Sequence, residues 1–269
     1  MFEFLIEYGL FLLKAVTILA AIILVISFAA ATKKGGKQEG LEVEDLNKKN
    51  KDLSDGLQKA ILHKDEWKAL MKSDKAKVKS DAKKKKSRPK VYVIDFIGDL
   101  KASAVPALRE EVNAILNVAK KNDQVLVRLD NHGGVVHEHG LAASQLVRIR
   151  EKNINLIVMV DKVAASGGYL MACVANKIYA APFAILGSIG VIAQLPNFNR
   201  LLDSYGVDFE QVTAGQYKRN VTMFGKNTDE DRAKLKDQLE EVHDLFKSSV
   251  SDYRPTMDLD KVATGEHWY

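Results

Sequence analysis

The chain has 269 residues, enough for one sizeable core with appendages, and its apolar share is ordinary for a folded protein. The net charge of +5 is unevenly spread: residues 72–90, KSDKAKVKSDAKKKKSRPK, hold nine Lys, one Arg and two Asp, a net +8 that leaves −3 for the remainder. A basic balance confined to one run does not describe a nucleic-acid-binding domain, and a single cysteine, Cys173, excludes an intrachain disulfide and any multi-cysteine metal site.

In chain order, residues 15–32 read AVTILAAIILVISFAAAT, without a charge, and GLFLLK extends the apolar run upstream. That length predicts a membrane-spanning helix within residues 1–32. Glu3 and Glu7 stand where a signal peptide carries a basic cluster, so a retained anchor is expected. Lys33, Lys34 and Lys37 follow the run, and by the charge rule would keep that side in the cytoplasm. Residues 33–89 read as a charged segment, with a helix over 42–72 and then the lysine-rich run. A solvated tether and a patch touching anionic lipid fit that run equally.

From Lys90 the pattern alternates. VYVIDFIG reads as a strand, residues 102–119 as a helix with Pro106 in its first turn, and DQVLVRLD as a second strand. NHGG is a turn before a helix over 141–152, and LIVMVD is a third strand. GYLMACVANK starts a helix, KIYAAPFA returns as a short strand, and GSIGVIAQ turns and extends. Residues 228–251 form an amphipathic helix that Thr228 can cap, with Asp231 in its first turn. The alternation predicts an α/β domain with buried strands.

Ser166 is the first candidate for chemistry. It follows a strand, precedes a helix and lies between Ala165 and Gly167, which leaves room around its hydroxyl. Gly167 and Gly168 allow a tight turn and bring backbone N–H groups near a reacting oxygen, as acyl transfer requires. A plain helix N-cap would leave the same signature. Gly133, in NHGGVV at the end of another strand, could supply an oxyanion donor, although such pairs are often only turns. Lys218, in AGQYKRN, could act as a base if neutral; taken alone it reads as a surface residue. His132, His137 and His139 form H-x4-H-x-H, a spacing that matches no strong metal signature.

VRLDNHGG, DKVAASGGYLMACVANKIYAAPFAILGSIGVI, TAGQYKR and VATGEHWY, in this order, resemble the signal peptide peptidase A family of serine proteases (peptidase S49), in its SohB-like branch. The resemblance covers residues 90–269 and takes in the N-terminal anchor and charged linker. It implies a Ser–Lys dyad, with Ser166 as nucleophile, Lys218 as general base, Ser188 of GSIG orienting the lysine, and Gly133 as oxyanion donor beside Gly167. It implies no cofactor and no metal. The implied fold is ClpP/crotonase-like, built of ββα units behind an N-terminal transmembrane helix. It further implies a bacterial inner-membrane protease that contacts lipid and cleaves signal peptide remnants or other short or unfolded peptides. Homo-oligomeric rings, with active sites shared between protomers, belong to the same expectation. Two departures stand out. Relatives carry Ser-Pro before the double glycine, where this chain has Asn131 and His132. They also continue beyond HWY, so the catalytic domain is expected to be truncated. An inactive membrane scaffold and an acyl-CoA-type enzyme of the same fold are the alternatives.

Overall fold

The computed structural model describes residues 8–19, 22, 41–83 and 88–269. The chain divides into two compact units, residues 1–85 and 86–269.

In the first unit, α1 (Leu46–Ile61) and α2 (Lys64–Lys83) replace the single helix expected over 42–72. Asp45 caps α1 by accepting the Lys48 N–H at 3.1 Å. The chain breaks at Leu62 and restarts where the Glu66 carboxylate takes the His63 N–H at 3.1 Å. The lysine-rich run is helical as far as Lys83, in keeping with the good helix propensity of lysine. Lys51 reaches Asp74 at 2.6 Å and so ties α1 to α2.

The expected N-terminal transmembrane helix is corrected: among the described residues no helix is long and apolar enough to cross a membrane. Residues 1–7, 20, 21 and 23–32 of the expected anchor lie outside the described residues. The inner-membrane placement, the lipid partner and the membrane-anchored form of the function rested on that span and are corrected with it.

The second unit is a mixed α/β fold. β1 (Val91–Gly98), β2 (Gln124–Asn131) and β3 (Asn155–Ala165) lie side by side in parallel. Single helices join them, α3 (Val105–Val118) and α4 (Val136–Glu151), so this part is built of βα units where ββα units were expected. The apolar alternation sets the register. Val125, Val127 and Leu129 of β2 are buried beside Leu156, Val158 and Val160 of β3. α3 presents Val105, Leu108, Val112 and Ile115, spaced three and four apart, to the same core. Each such side chain contributes about 1.5–3 kcal/mol by leaving water.

β3 is long enough to take two partners along one edge. Ile157–Val160 pair with β4 (Lys177–Ala180), and Val163–Ala165 pair with β5 (Ile185–Gly187). Between these stretches β3 bulges: Leu129 pairs with Val160 but Asn131 pairs with Ala164. The bulge puts Asp161 and Lys162 in solvent and re-aims the last residues of β3. β6 (His267–Trp268) pairs antiparallel with β5. α5 (Gly167–Cys173) follows β3, and α6 (Asn199–Ser204), α7 (Asp229–Tyr253) and α8 (Leu259–Val262) complete the chain. Thr228 and Asp231 cap α7 reciprocally, as expected.

Candidate active site

The parallel strands end together, and the last residues of β2, β3 and β5 build the site. Ser166 directly follows β3. Its backbone sits at φ 52, ψ −121, a conformation that costs a non-glycine residue on the order of 1–3 kcal/mol. Two backbone bonds hold it there: the Ser166 N–H donates to Gly187 O at 2.8 Å, and Ser166 O accepts the Leu170 N–H at 3.0 Å. The side chain makes no capping bond to α5. That removes the helix-cap alternative and leaves a half-buried hydroxyl uncommitted to the fold.

Ser188 leaves the neighbouring strand at the same level. Ala165 and Gly187 are register partners, so the two serines lie one residue beyond a matched pair. Ser188 is also left-handed, at φ 51, and its N–H donates to Glu266 O at 2.7 Å. Trp268 lies on Gly187, where a Cβ would fall 2.8 Å from the indole, and meets Tyr169 edge-on at 5.3 Å between centroids. The GEHW segment therefore braces the turn that carries Ser188.

Gly133 completes the group. Its φ is +85, and a Cβ there would fall 2.8 Å from Ala165 O, Gly167 N and Ser166 Cβ. Only glycine permits this approach to the serine. Its N–H is donated to Asn131 Oδ1 at 2.8 Å, so an oxyanion would have to take the place of that partner. Gly167 opens α5, where first-turn N–H groups have no intrahelical acceptor.

Lys218 is not joined to this group within one chain. It is exposed, in a turn closed by its own N–H to Gly215 O at 3.1 Å. Among the described residues no hydrogen bond or ion pair links it to Ser166 or Ser188. The structure thus brings Ser166, Ser188, Gly133 and Gly167 together and leaves the lysine on an exposed segment.

The histidines are dispersed. His132 and His137 are exposed, and His137 faces Glu138 at 3.7 Å. His139 is fully buried, with Nδ1 3.0 Å from Val135 O and Nε2 3.2 Å from Asn131 Oδ1. Among the described residues no three His, Cys, Asp or Glu side chains are grouped to hold a metal. Sequence reasoning missed the link between Asn131 and His139. The available signal was an asparagine two residues before a glycine at a strand end, the pattern of an Asx turn. Burial pushes the Cys173 thiol up to about 12 and the Tyr169 hydroxyl likewise to about 12, so neither is a nucleophile at neutral pH. A cavity of about 430 Å³, lined by Leu116, Lys120, Lys152 and Asn153 among others, lies by the starts of β2 and β3, at the far end from Ser166.

Two family models cover almost the whole sequence: "Peptidase family S49 N-terminal" matches residues 3–146 and "Peptidase family S49" matches residues 148–269. A probable protease SohB of Haemophilus influenzae is 48% identical over 97% of this chain and 78% of its own length. The probable protease SohB of Buchnera aphidicola subsp. Schlechtendalia chinensis is 47% identical over 99% of this chain and 92% of its own. That of Buchnera aphidicola subsp. Acyrthosiphon pisum is 57% identical over 69% of this chain and 55% of its own.

Proposed function

The chain belongs to peptidase family S49, in its SohB-like branch, and is a serine endopeptidase of the Ser–Lys kind; from that premise we propose that Ser166 is the nucleophile and Lys218 the general base. Ser188 orients the lysine, the Gly167 N–H at the start of α5 stabilises the developing oxyanion, and Gly133, whose N–H is held by Asn131 Oδ1, walls the serine where it was expected to be a free donor. The observation that carries this reading is the Ser166 side chain, held in a strained backbone yet relieved of any capping duty.

In this mechanism neutral Lys218 Nζ accepts the Ser166 proton as Oγ attacks the peptide carbonyl carbon. The carbonyl π bond opens to an oxyanion that backbone N–H groups stabilise. The resulting ammonium returns its proton to the leaving amine as the C–N bond breaks, and an acyl-serine remains. Water, deprotonated by the same lysine, then releases the acid. Lys218 must approach Ser166 for this sequence to run, and the exposed turn around Gly215 is the segment that has to bring it there.

The substrates proposed are short or unfolded peptides, because the serine lies at a strand end where an extended chain can lie beside it. The test is cleavage of fluorescein-labelled unfolded casein by the full chain, by Ser166→Ala and by Lys218→Ala. Both variants are expected to lose activity and keep the wild-type melting temperature. Full activity in Lys218→Ala would remove the lysine from the mechanism.

A further inference from the structure

We propose that Asn131 and His139 act as a positioning pair, holding the glycine turn beside Ser166 in the form that acyl transfer needs. The proposal rests on the reading of Ser166 as nucleophile.

Both side chains are fully buried. Asn131 Oδ1 accepts the Gly133 N–H at 2.8 Å and faces His139 Nε2 at 3.2 Å, while Asn131 Nδ2 points to Met171 Sδ at 3.3 Å. His139 Nδ1 faces Val135 O at 3.0 Å, and the His139 N–H donates to the same oxygen at 3.1 Å. One network therefore joins the end of β2, the turn through Gly133 and the first turn of α4.

The pair also touches the nucleophile's own segment. A Cβ on Gly167 would fall 2.5 Å from His139 Cγ, and one on Gly168 would fall 2.1 Å from Asn131 O. A Cβ on Gly98 would lie 2.3 Å from Asn131 Cγ. Gly98 and Gly167 thus make room for two polar side chains, and Gly168 for the Asn131 backbone, in a place where apolar side chains would be cheaper to bury. The double-glycine turn and the start of α5 are packed against the same asparagine and imidazole. A shift of either side chain moves both halves of the site.

The Asn131 side chain, pinned by His139, restrains Gly133 through a hydrogen bond. Neither residue needs to touch substrate, so both are positioning residues.

The experiment measures kcat and KM for labelled unfolded casein, with melting temperatures, for the full chain. Asn131→Leu keeps the branched shape, removes the acceptor of the Gly133 N–H and is expected to lower kcat roughly 10–100-fold with KM within about twofold, the size of effect that misplacing a reacting group produces. His139→Phe keeps the ring volume without its nitrogens and is expected to lower kcat in the same sense, with His139→Gln in between. Wild-type kcat in both Asn131→Leu and His139→Phe overturns the proposal. Ser166→Ala separates the two levels. If it is inactive while Asn131→Leu is unaffected, only the positioning pair falls; if it cleaves at the wild-type rate, the nucleophile reading falls.

Discussion

Two regions of the same domain carry the proposed dyad, and they are made differently. Ser166 stands at the end of a buried parallel strand, fixed by bonds to Gly187 and Leu170 and walled by Gly133 and Gly167. Lys218 stands on the stretch between β5 and α7, where only the six-residue α6 is regular. That stretch leaves Ile192, Tyr205, Val212 and Tyr217 exposed. The nucleophile is preorganised by the core, at a cost in backbone strain; the base is carried by a segment the core does not hold. Catalysis then depends on rigidity in one place and on approach in the other.

The largest expected effect sharpens this contrast. Ser166→Ala and Lys218→Ala should each reduce casein cleavage by about 10³-fold or more, as loss of either member of a nucleophile–base unit does. Lys218→Ala should leave the melting temperature untouched, because the side chain is exposed and unpacked. A destabilised Lys218→Ala would mean that the lysine is already part of the fold.

Gly133→Ala comes next. The added methyl would meet Ala165 O, Gly167 N and Ser166 Cβ at 2.8 Å, in a backbone conformation that alanine resists. Loss of activity together with about 2–4 kcal/mol of stability is expected, read from denaturant unfolding beside the casein assay. Gly215→Ala, where the nearest atom to a new Cβ is 3.9 Å away, offers the matching control on the exposed side and should cost only about 1 kcal/mol of φ strain.

Strain itself can be measured at Ser166. Ser166→Gly should abolish cleavage yet raise stability by about 0.5–1 kcal/mol over Ser166→Ala, since glycine adopts φ 52 freely. Equal stability of the two variants would show that the turn is not strained.

The smallest effect concerns the buried groups behind the site. Burial raises the Cys173 thiol to about 12 and the Tyr169 hydroxyl to about 12, from ordinary values near 9 and 10. Groups raised on folding lend stability that is whole below the unfolded value and fades as pH climbs toward the folded one. Alkaline unfolding is therefore expected to begin near pH 9 and deepen toward pH 12, followed by circular dichroism. At pH 8 the native thiol should resist a disulfide reagent that labels the unfolded chain at once.

The same division between core and exposed segment explains how much could be read from residues alone. β1, β2 and β3 were legible because their apolar alternation is the core itself, and α3 because Val105, Leu108, Val112 and Ile115 repeat at helical spacing. α4 begins at Val136, five residues before the expected Leu141, because VHEH looks polar although His139 is buried beneath it. GSIGVIAQ was expected to extend as a strand; the ladder stops at Gly187, and residues 188–198 run irregularly without a partner strand. The serine's setting could be inferred from its small neighbours. The bulge that re-aims it, the pairing of Ala165 with Gly187 and the bond from Gly133 to Asn131 depend on contacts distant in sequence. The lysine's position relative to the serine is written in no local pattern, since the contacts beside it, Lys234 over the Tyr217 ring and Asn220 to Gln238, run to α7 and not to the serine.

The most direct measurement is to trap the acyl-enzyme. The full chain is mixed with an activated peptide ester, quenched in acid and mapped by mass spectrometry after digestion. The acyl mass is expected on the peptide containing Ser166, absent in Ser166→Ala, and formed far more slowly in Lys218→Ala. An adduct on any other residue, or one that forms on Ser166 at the wild-type rate without Lys218, would contradict the account.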